Sequence, residues 1–320
     1  MKKQVMAFYY MWYGNPTVSK EWKGWNHLGN KPDKGSTCTA DKPIKLYDSN
    51  DKKVIRNHIK TALKNGIDTL IASYWGAEIS FSKPFNTLLK EASKTKIKIT
   101  PYIETLHNHV ESAIDELNNL LDILTKEKSI LTINTKPVIF IYTRAIKQFN
   151  KKEWAEIISG LKTKPVIIAD INNKELLSLF NGAHNYCPLH AYLMRKKADK
   201  HYKGIINECR KQGKITTYTV MPGYDDRVLK RKHSIKYRLW QLAHLSKKEF
   251  YVDRKNGKTY TELWNQALKI NPDFVLITTF NEWHEGTEIE PSREYGDFYL
   301  KLTKDYSDKF KRQHQMKKEQ

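Results

Sequence analysis

Short apolar, β-branched runs alternate with longer amphipathic stretches along this chain, and the alternation repeats eight times. The runs are Val5 to Tyr10, Thr69 to Tyr74, Ile97 to Ile103, Pro137 to Tyr142, Val166 to Asp170, His184 to Leu189, Ile215 to Val220 and Phe274 to Phe280. Their lengths and near-continuous apolar character suit parallel strands buried on both faces. Helix-like segments lie between them, at Asp51 to Lys64, Pro84 to Lys94, His109 to Lys126, Lys151 to Leu161, Lys174 to Phe180, Asp199 to Gln212 and Tyr260 to Ile270. Asn65-Gly66, Gly160 and Gly213 follow helical runs and precede strands, where a left-handed C-terminal glycine is expected. Eight βα units with no Pro/Gly/Ser linker predict a single α/β domain over residues 1–320, a closed (β/α)8 TIM barrel, because an open doubly wound sheet usually has fewer strands. From about residue 294 the chain reads as a basic C-terminal helix or tail.

Two connections are too long to be simple loops, Gly14 to Asn50 after the first strand and Met221 to Thr259 after the seventh. Both follow strands, so both belong to the face of a barrel where βα loops build a site. The strand ends on that face are rich in rings, hydroxyls and carboxylates. Strand one runs into Tyr9-Tyr10-Met11-Trp12-Tyr13-Gly14, strand two into Tyr74-Trp75-Gly76 and strand three into Tyr102-Ile103-Glu104. Strand four ends in Tyr142-Thr143-Arg144, strand seven in Pro222-Gly223-Tyr224-Asp225-Asp226, and strand eight in Asn281-Glu282-Trp283-His284-Glu285-Gly286. Such a set suits a sugar, whose C–H faces stack on aromatics while its hydroxyls need oriented polar partners. For any one ring taken alone, core packing competes with ligand contact.

Glycoside hydrolysis needs a proton donor to the leaving oxygen and a second carboxylate at the reacting centre. Glu282 and Glu285, three residues apart just beyond an apolar strand, can supply both, and partly dry surroundings split the pKa values of such a pair. A divalent-cation site is the competing reading of Glu282, Glu285, Glu288 and Glu290, but the segment lacks the Asp/Asn/Gly pattern of a calcium loop and the paired histidines of zinc hydrolases. No Gly-x-Ser-x-Gly elbow, Gly-x-Gly-x-x-Gly turn or Walker loop occurs, so neither a serine hydrolase nor a nucleotide cofactor is indicated. The sequence therefore calls for no metal and no cofactor.

The formal net charge of +21 arises mostly from lysines scattered along helical segments, the signature of solvated faces, and no nucleic-acid-binding motif accompanies it. An acidic or sulfated glycan is the milder inference from the charge. Aromatics at 12% exclude a disordered chain. The three cysteines, Cys38, Cys187 and Cys209, are odd in number and far apart, so free thiols are expected rather than a disulfide framework. The apolar stretch after Met1-Lys2-Lys3 is short and lacks a small-residue cleavage site, which gives the cytoplasm as the expected compartment, with an exported mature form as the alternative. No run is long and apolar enough to span a bilayer, and a monomer is expected.

With those residues in view, the chain resembles glycoside hydrolase family 99, the endo-α-1,2-mannosidases and endo-mannanases. The resemblance rests on Phe8-Tyr9-Tyr10-Met11-Trp12-Tyr13-Gly14-Asn15-Pro16, on Pro222-Gly223-Tyr224-Asp225-Asp226, on Arg254-Lys255-Asn256-Gly257 leading to Tyr260 and Trp264, and on the long run Thr279 to Pro291. It implies a retaining endo-glycosidase acting on an oligosaccharide or polysaccharide. Glu282 would be the base on the sugar 2-hydroxyl, which attacks its own anomeric carbon to give a 1,2-anhydro sugar. Glu285 would be the general acid and then the base that activates water. The same resemblance places Tyr10, Trp12, Tyr13, Trp75, Tyr102, Glu104, Tyr224, Asn281, Trp283 and His284 around the substrate. Trp75 and Glu104 match more loosely, and Tyr142-Thr143-Arg144 stands where a histidine-bearing segment is usual. A polysaccharide-biosynthesis protein of the WbsX type and a catalytically silent glycan-binding barrel are the alternatives.

Overall fold

The structure, a computed structural model, describes residues 2–76, 79–188, 197–230 and 251–316. Eight parallel strands form its centre: β1 Gln4–Tyr9, β2 Thr69–Tyr74, β3 Lys98–Ile103, β4 Lys136–Ile141, β5 Val166–Asp170, β6 Gly182–His184, β7 Ile215–Val220 and β8 Phe274–Ile277. Each pairs with its neighbour in chain order. β8 returns to β1 in the register Gln4↔Phe274 to Ala7↔Ile277, and β3 meets β4 at Tyr102↔Phe140, so the sheet closes into a (β/α)8 barrel. Nearly every strand residue is buried, because side chains alternate between the barrel interior and the helical layer. That is why the strands read as unbroken apolar runs.

Helices packed around the barrel include α1 Lys52–Lys64, α2 Ile79–Ala92, α3 Val110–Leu124, α4 Lys151–Gly160, α5 Lys174–Leu177, α6 Lys197–Lys211, α7 Lys258–Ile270 and α8 Phe298–Met316, and single helical turns lie at Thr143–Ile146 and Arg227–Lys230. Asp51 caps α1 by accepting the Lys53 N–H, and Asn150 opens α4 in a reciprocal capping box with Glu153. Helix α8 returns to the N-terminal end of the barrel. Ser307 and Lys311 both bond the Gly66 carbonyl, and the Trp264 ring stacks on Tyr306 at 5.6 Å.

Four expectations from sequence need correction. The sixth strand is Gly182–His184, earlier and shorter than His184 to Leu189, whose last residue lies outside the described residues. Helix α2 begins at Ile79 and carries Pro84 inside it, not at its start. Lys174 to Phe180 forms a single helical turn, Lys174–Leu177. Gly66 and Gly213 do adopt positive φ, but Gly160 remains helical and instead lets α4 approach α3, since a Cβ there would meet Ile114 Cδ1 at 2.8 Å.

Of the two long connections, Gly14 to Asn50 is held by Asp48, whose carboxylate accepts the N–H groups of Asn15, Ser19 and Asn50, and by Trp25 stacked on Tyr13 at 4.1 Å. The other contains a small antiparallel pair, Tyr224–Asp225 with Tyr251–Val252, and residues 231–250 lie outside the described residues. Among the described residues no helix is long and apolar enough to cross a membrane.

Candidate active site

The segment after β8 is fastened from below before it presents any acid to the mouth. Asn281 bonds both backbone groups of Tyr10, accepting its N–H and donating to its carbonyl, each at 2.8 Å. The Tyr13 hydroxyl lies between the Asn281 carbonyl and the Trp283 N–H, and the Trp283 indole donates toward Tyr47 and Glu290. Asn281, Trp283 and Tyr13 are thus sealed in the interior with their polar groups engaged. Expected around the substrate, they hold the loop that carries the acids, because a buried polar group must be satisfied within the protein. Tyr102 is buried too, packed on Phe8 at 4.7 Å inside the barrel.

Glu282 is 3% exposed. Its Oε1 accepts the His284 N–H at 2.9 Å and faces His284 Nδ1 at 3.0 Å, while its backbone N–H donates to the Thr279 hydroxyl. His284 Nε2 contacts the Gly24 carbonyl, which can only accept, so that nitrogen carries a proton. Burial opposes a charge on the ring. The Glu282 carboxylate, helped by Cys38, outweighs that and holds the imidazole well above its ordinary value. The ring is thus an imidazolium facing Glu282 Oε1. Glu282 Oε2 takes no hydrogen bond from the described residues, leaving it a ready proton acceptor.

Glu285 has the opposite environment. Burial raises its pKa first, then the charge of Glu282, against a smaller lowering by Tyr186, with Asp226 and Glu104 adding to the rise; the result is about 8. Near neutrality Glu285 is therefore mostly a protonated acid. Tyr10 donates to Tyr186 at 2.9 Å, and Tyr186 donates to Glu285 Oε2 at 3.1 Å. On the other side the Asp225 N–H donates to the Glu285 carbonyl at 2.6 Å. Tyr224 stands beside this contact and donates to Asp226.

Around these acids the structure collects Trp12, Trp75 and Glu104. Trp12 is half-buried between Tyr10, 4.5 Å away, and Trp75, 6.3 Å away. Glu104 accepts the Ser73 hydroxyl at 2.9 Å, and burial raises its carboxyl to about 7 against the lowering by Ser73 and Arg144. A cavity of about 1120 Å³ adjoins the site between the ends of β4, β5 and β6, lined among others by Tyr142, Lys147, Asp170, Asn185 and Tyr186. Sequence reasoning placed Asp226 and Arg144 only among the strand-end sets, with no role of their own, and did not single out Tyr186 or Asp170. Asp170 and Tyr186 lie at or just past the ends of β5 and β6, so inspection of every strand end would have found both. Among the described residues no group of His, Cys, Asp and Glu is arranged to hold a metal ion.

Residues 1–312 match the family profile of Glycosyl hydrolase family 99. The chain belongs to that family. It is a glycoside hydrolase, and the resemblance carried by the strand-end motifs holds over nearly the whole sequence. It is 26% identical over 97% of its length to glycoprotein endo-alpha-1,2-mannosidase of Rattus norvegicus and 25% identical over 95% to that of Xenopus laevis, covering 75% and 76% of those proteins. In three dimensions it resembles the GH99 endo-alpha-mannosidase of Bacteroides thetaiotaomicron, with a TM-score of 0.80, 23% identity, and coverage of 97% of this chain and 98% of that one. At that identity the likeness speaks for the fold. In this family 99 chain the two neighbouring glutamates thus differ in environment, Glu282 facing a cation and Glu285 kept neutral by burial.

Proposed function

We propose that this family 99 hydrolase is a retaining, endo-acting α-mannosidase in which the substrate's own 2-hydroxyl is the nucleophile. The observation that carries the reading is the asymmetry of the two acids: Glu282 is paired with the His284 imidazolium, and Glu285 is protonated near neutrality. In the first step Glu282 takes the proton from the 2-hydroxyl, O2 attacks C1, and the C1–O glycosidic bond breaks as Glu285 gives its proton to the leaving oxygen. A 1,2-anhydro sugar results. In the second step Glu285, now a carboxylate, takes a proton from water, the water oxygen attacks C1, and the C1–O2 bond opens as O2 recovers its proton from Glu282. Two inversions at C1 amount to retention.

The names of the relatives support mannose as the sugar and internal cleavage as the mode. Digestion of a panel of α-linked glycans, read by mass spectrometry and by NMR of the first-formed anomer, tests both. Release of internal fragments with retained configuration is expected, whereas an inverted first product would eliminate the two-step scheme. Glu282→Gln and Glu285→Gln are each expected to lower kcat/KM by at least about 10³-fold while leaving fragment binding largely intact, the pattern of groups that act only in the transition state. Wild-type turnover by either variant would remove it from this role. Chelators are expected to have no effect.

A further inference from the structure

Arg144 belongs to the turn that follows β4, and its side chain is 52% exposed at the mouth of the site. Its guanidinium lies over the Trp75 ring, 4.8 Å from the centroid, and 5.4 Å from that of Tyr142. Trp75 is itself fixed by donating from its indole nitrogen to Ser73, the hydroxyl that also bonds Glu104. The nearest carboxylate oxygen, Glu104 Oε2, is 3.8 Å away, too far for a hydrogen bond, and among the described residues none is formed by the guanidinium. Two consequences follow from this geometry. The Trp75 face covered by Arg144 is closed to stacking by a neutral sugar. A guanidinium held over a ring and not hydrogen-bonded within the described residues has N–H groups to offer, and their fork matches the two oxygens of a carboxylate or of a phosphate or sulfate ester.

The surroundings favour the same class of ligand. Lys147, on the next turn of the chain, lines the adjoining cavity, and the chain carries 56 Lys and Arg against 35 Asp and Glu. The acids facing that region are Glu104 and Asp170, and burial raises both to about 7, so neither is a full negative charge near neutrality. We infer that Arg144 binds an anionic substituent on the glycan, a carboxylate or a phosphate or sulfate ester on the sugar beside Trp75, and so selects an acidic over a neutral substrate. This rests on the proposed α-mannosidase reading only for the sugar that bears the substituent.

Binding tests it without requiring turnover. The Glu285→Gln protein would be titrated calorimetrically with a neutral α-mannotetraose, with the same tetraose carrying a terminal 6-phosphate, and with one ending in a glucuronate. At least one anionic fragment is expected to bind about tenfold more tightly than the neutral one, as one charge-assisted hydrogen bond allows, and the preference should shrink with added salt. Adding Arg144→Met should bring the ratio close to one through a loss of anionic affinity, with the unfolding temperature nearly unchanged; Arg144→Lys should retain part of the preference. The two anionic arms distinguish an ester from a uronate. Equal affinity for all three fragments, or a preference that survives Arg144→Met, overturns the inference while leaving the hydrolase reading standing. Conversely, an Arg144-dependent preference together with a wild-type protein that cleaves none of the three overturns the proposed α-mannosidase activity alone.

Discussion

At the scale of single residues, Glu285 is held as a neutral acid by the same burial that makes it costly to ionise. Its carboxyl rises from 4.5 to about 8, and the sign of the consequence for stability is fixed by that direction. Between those values the unfolded chain has released the proton and the folded chain retains it. Stability therefore falls as pH rises through this window. Glu285→Gln, which cannot ionise, should escape the loss, so its unfolding temperature relative to wild type should climb from pH 5 to pH 8. A constant difference across that range would refute the assignment. With Glu285 as the proposed general acid, the same proton should set the alkaline limb of kcat/KM near pH 8, since only the acid form could then protonate the leaving oxygen. Tyr186→Phe removes a hydrogen bond that lowers the Glu285 pKa, so it should move that limb to higher pH. A shift to lower pH would mean that the Tyr186 hydroxyl does not stabilise the carboxylate.

At the scale of elements, the acids owe their position to a close approach between two loops. Gly286 has φ +58°, and a Cβ there would meet the Cβ, N and O of Asp225 at 3.1 Å. Gly286→Ala should cost about 1–2 kcal/mol of left-handed strain and also push the Tyr224–Asp225 strand away from the Glu285 carbonyl. A fall in kcat of about tenfold or more is expected, since sub-ångström placement governs proton transfer. Gly213→Ala is the control. Its φ is +63° but nothing lies within 4 Å of the added carbon, so it should lose comparable stability and no activity. Equal kinetic loss in the two variants would mean that backbone strain alone, not the contact with Asp225, explains the effect.

These elements also show what a sequence makes legible. Strands β1 to β5, β7 and β8 were readable because burial on both faces leaves an uninterrupted apolar run. Strand β6 was misplaced because its three residues include Gly182, whose lack of a side chain lets the backbone carbonyl of Ile215 approach, while the more apolar run follows it. Glu282 and Glu285 stood out because they share one contiguous motif. The contacts that shape their environments did not, since Tyr186 and Asp225 reach Glu285, and Gly24 reaches the His284 ring beside Glu282, from 99, 60 and 260 residues away along the chain. For the same reason nothing in the local pattern distinguished Asn281, Tyr13 and Trp283, which anchor the loop, from side chains that face a ligand.

At the scale of the whole molecule, the catalytic face is tied together by a buried cation. Arg254 precedes α7, and its guanidinium bonds the carbonyls of Gly286 and Glu288 as well as the carboxylates of Glu288 and, at 3.1 Å, Asp41. Tyr295 and Tyr299 lie against it at 4.9 and 4.7 Å. One side chain thus joins the loop after β1, the approach to α7, the segment after β8 and the start of α8. Its removal leaves two carboxylates and two carbonyls without their donor in a dry interior, a loss of about 3–5 kcal/mol for a broken buried pair. Arg254→Met keeps most of the apolar stem, so the deficit it produces in denaturant unfolding reports the charge and hydrogen bonds, not a cavity. Because Gly286 and Glu288 directly follow the acid-bearing segment, kcat should fall with stability even well below the unfolding temperature. If Arg254→Met unfolds like wild type, the four segments are held by apolar packing and the guanidinium is incidental. If it is destabilised but turns over normally, the cation braces the barrel's mouth without setting the geometry of Glu282 and Glu285.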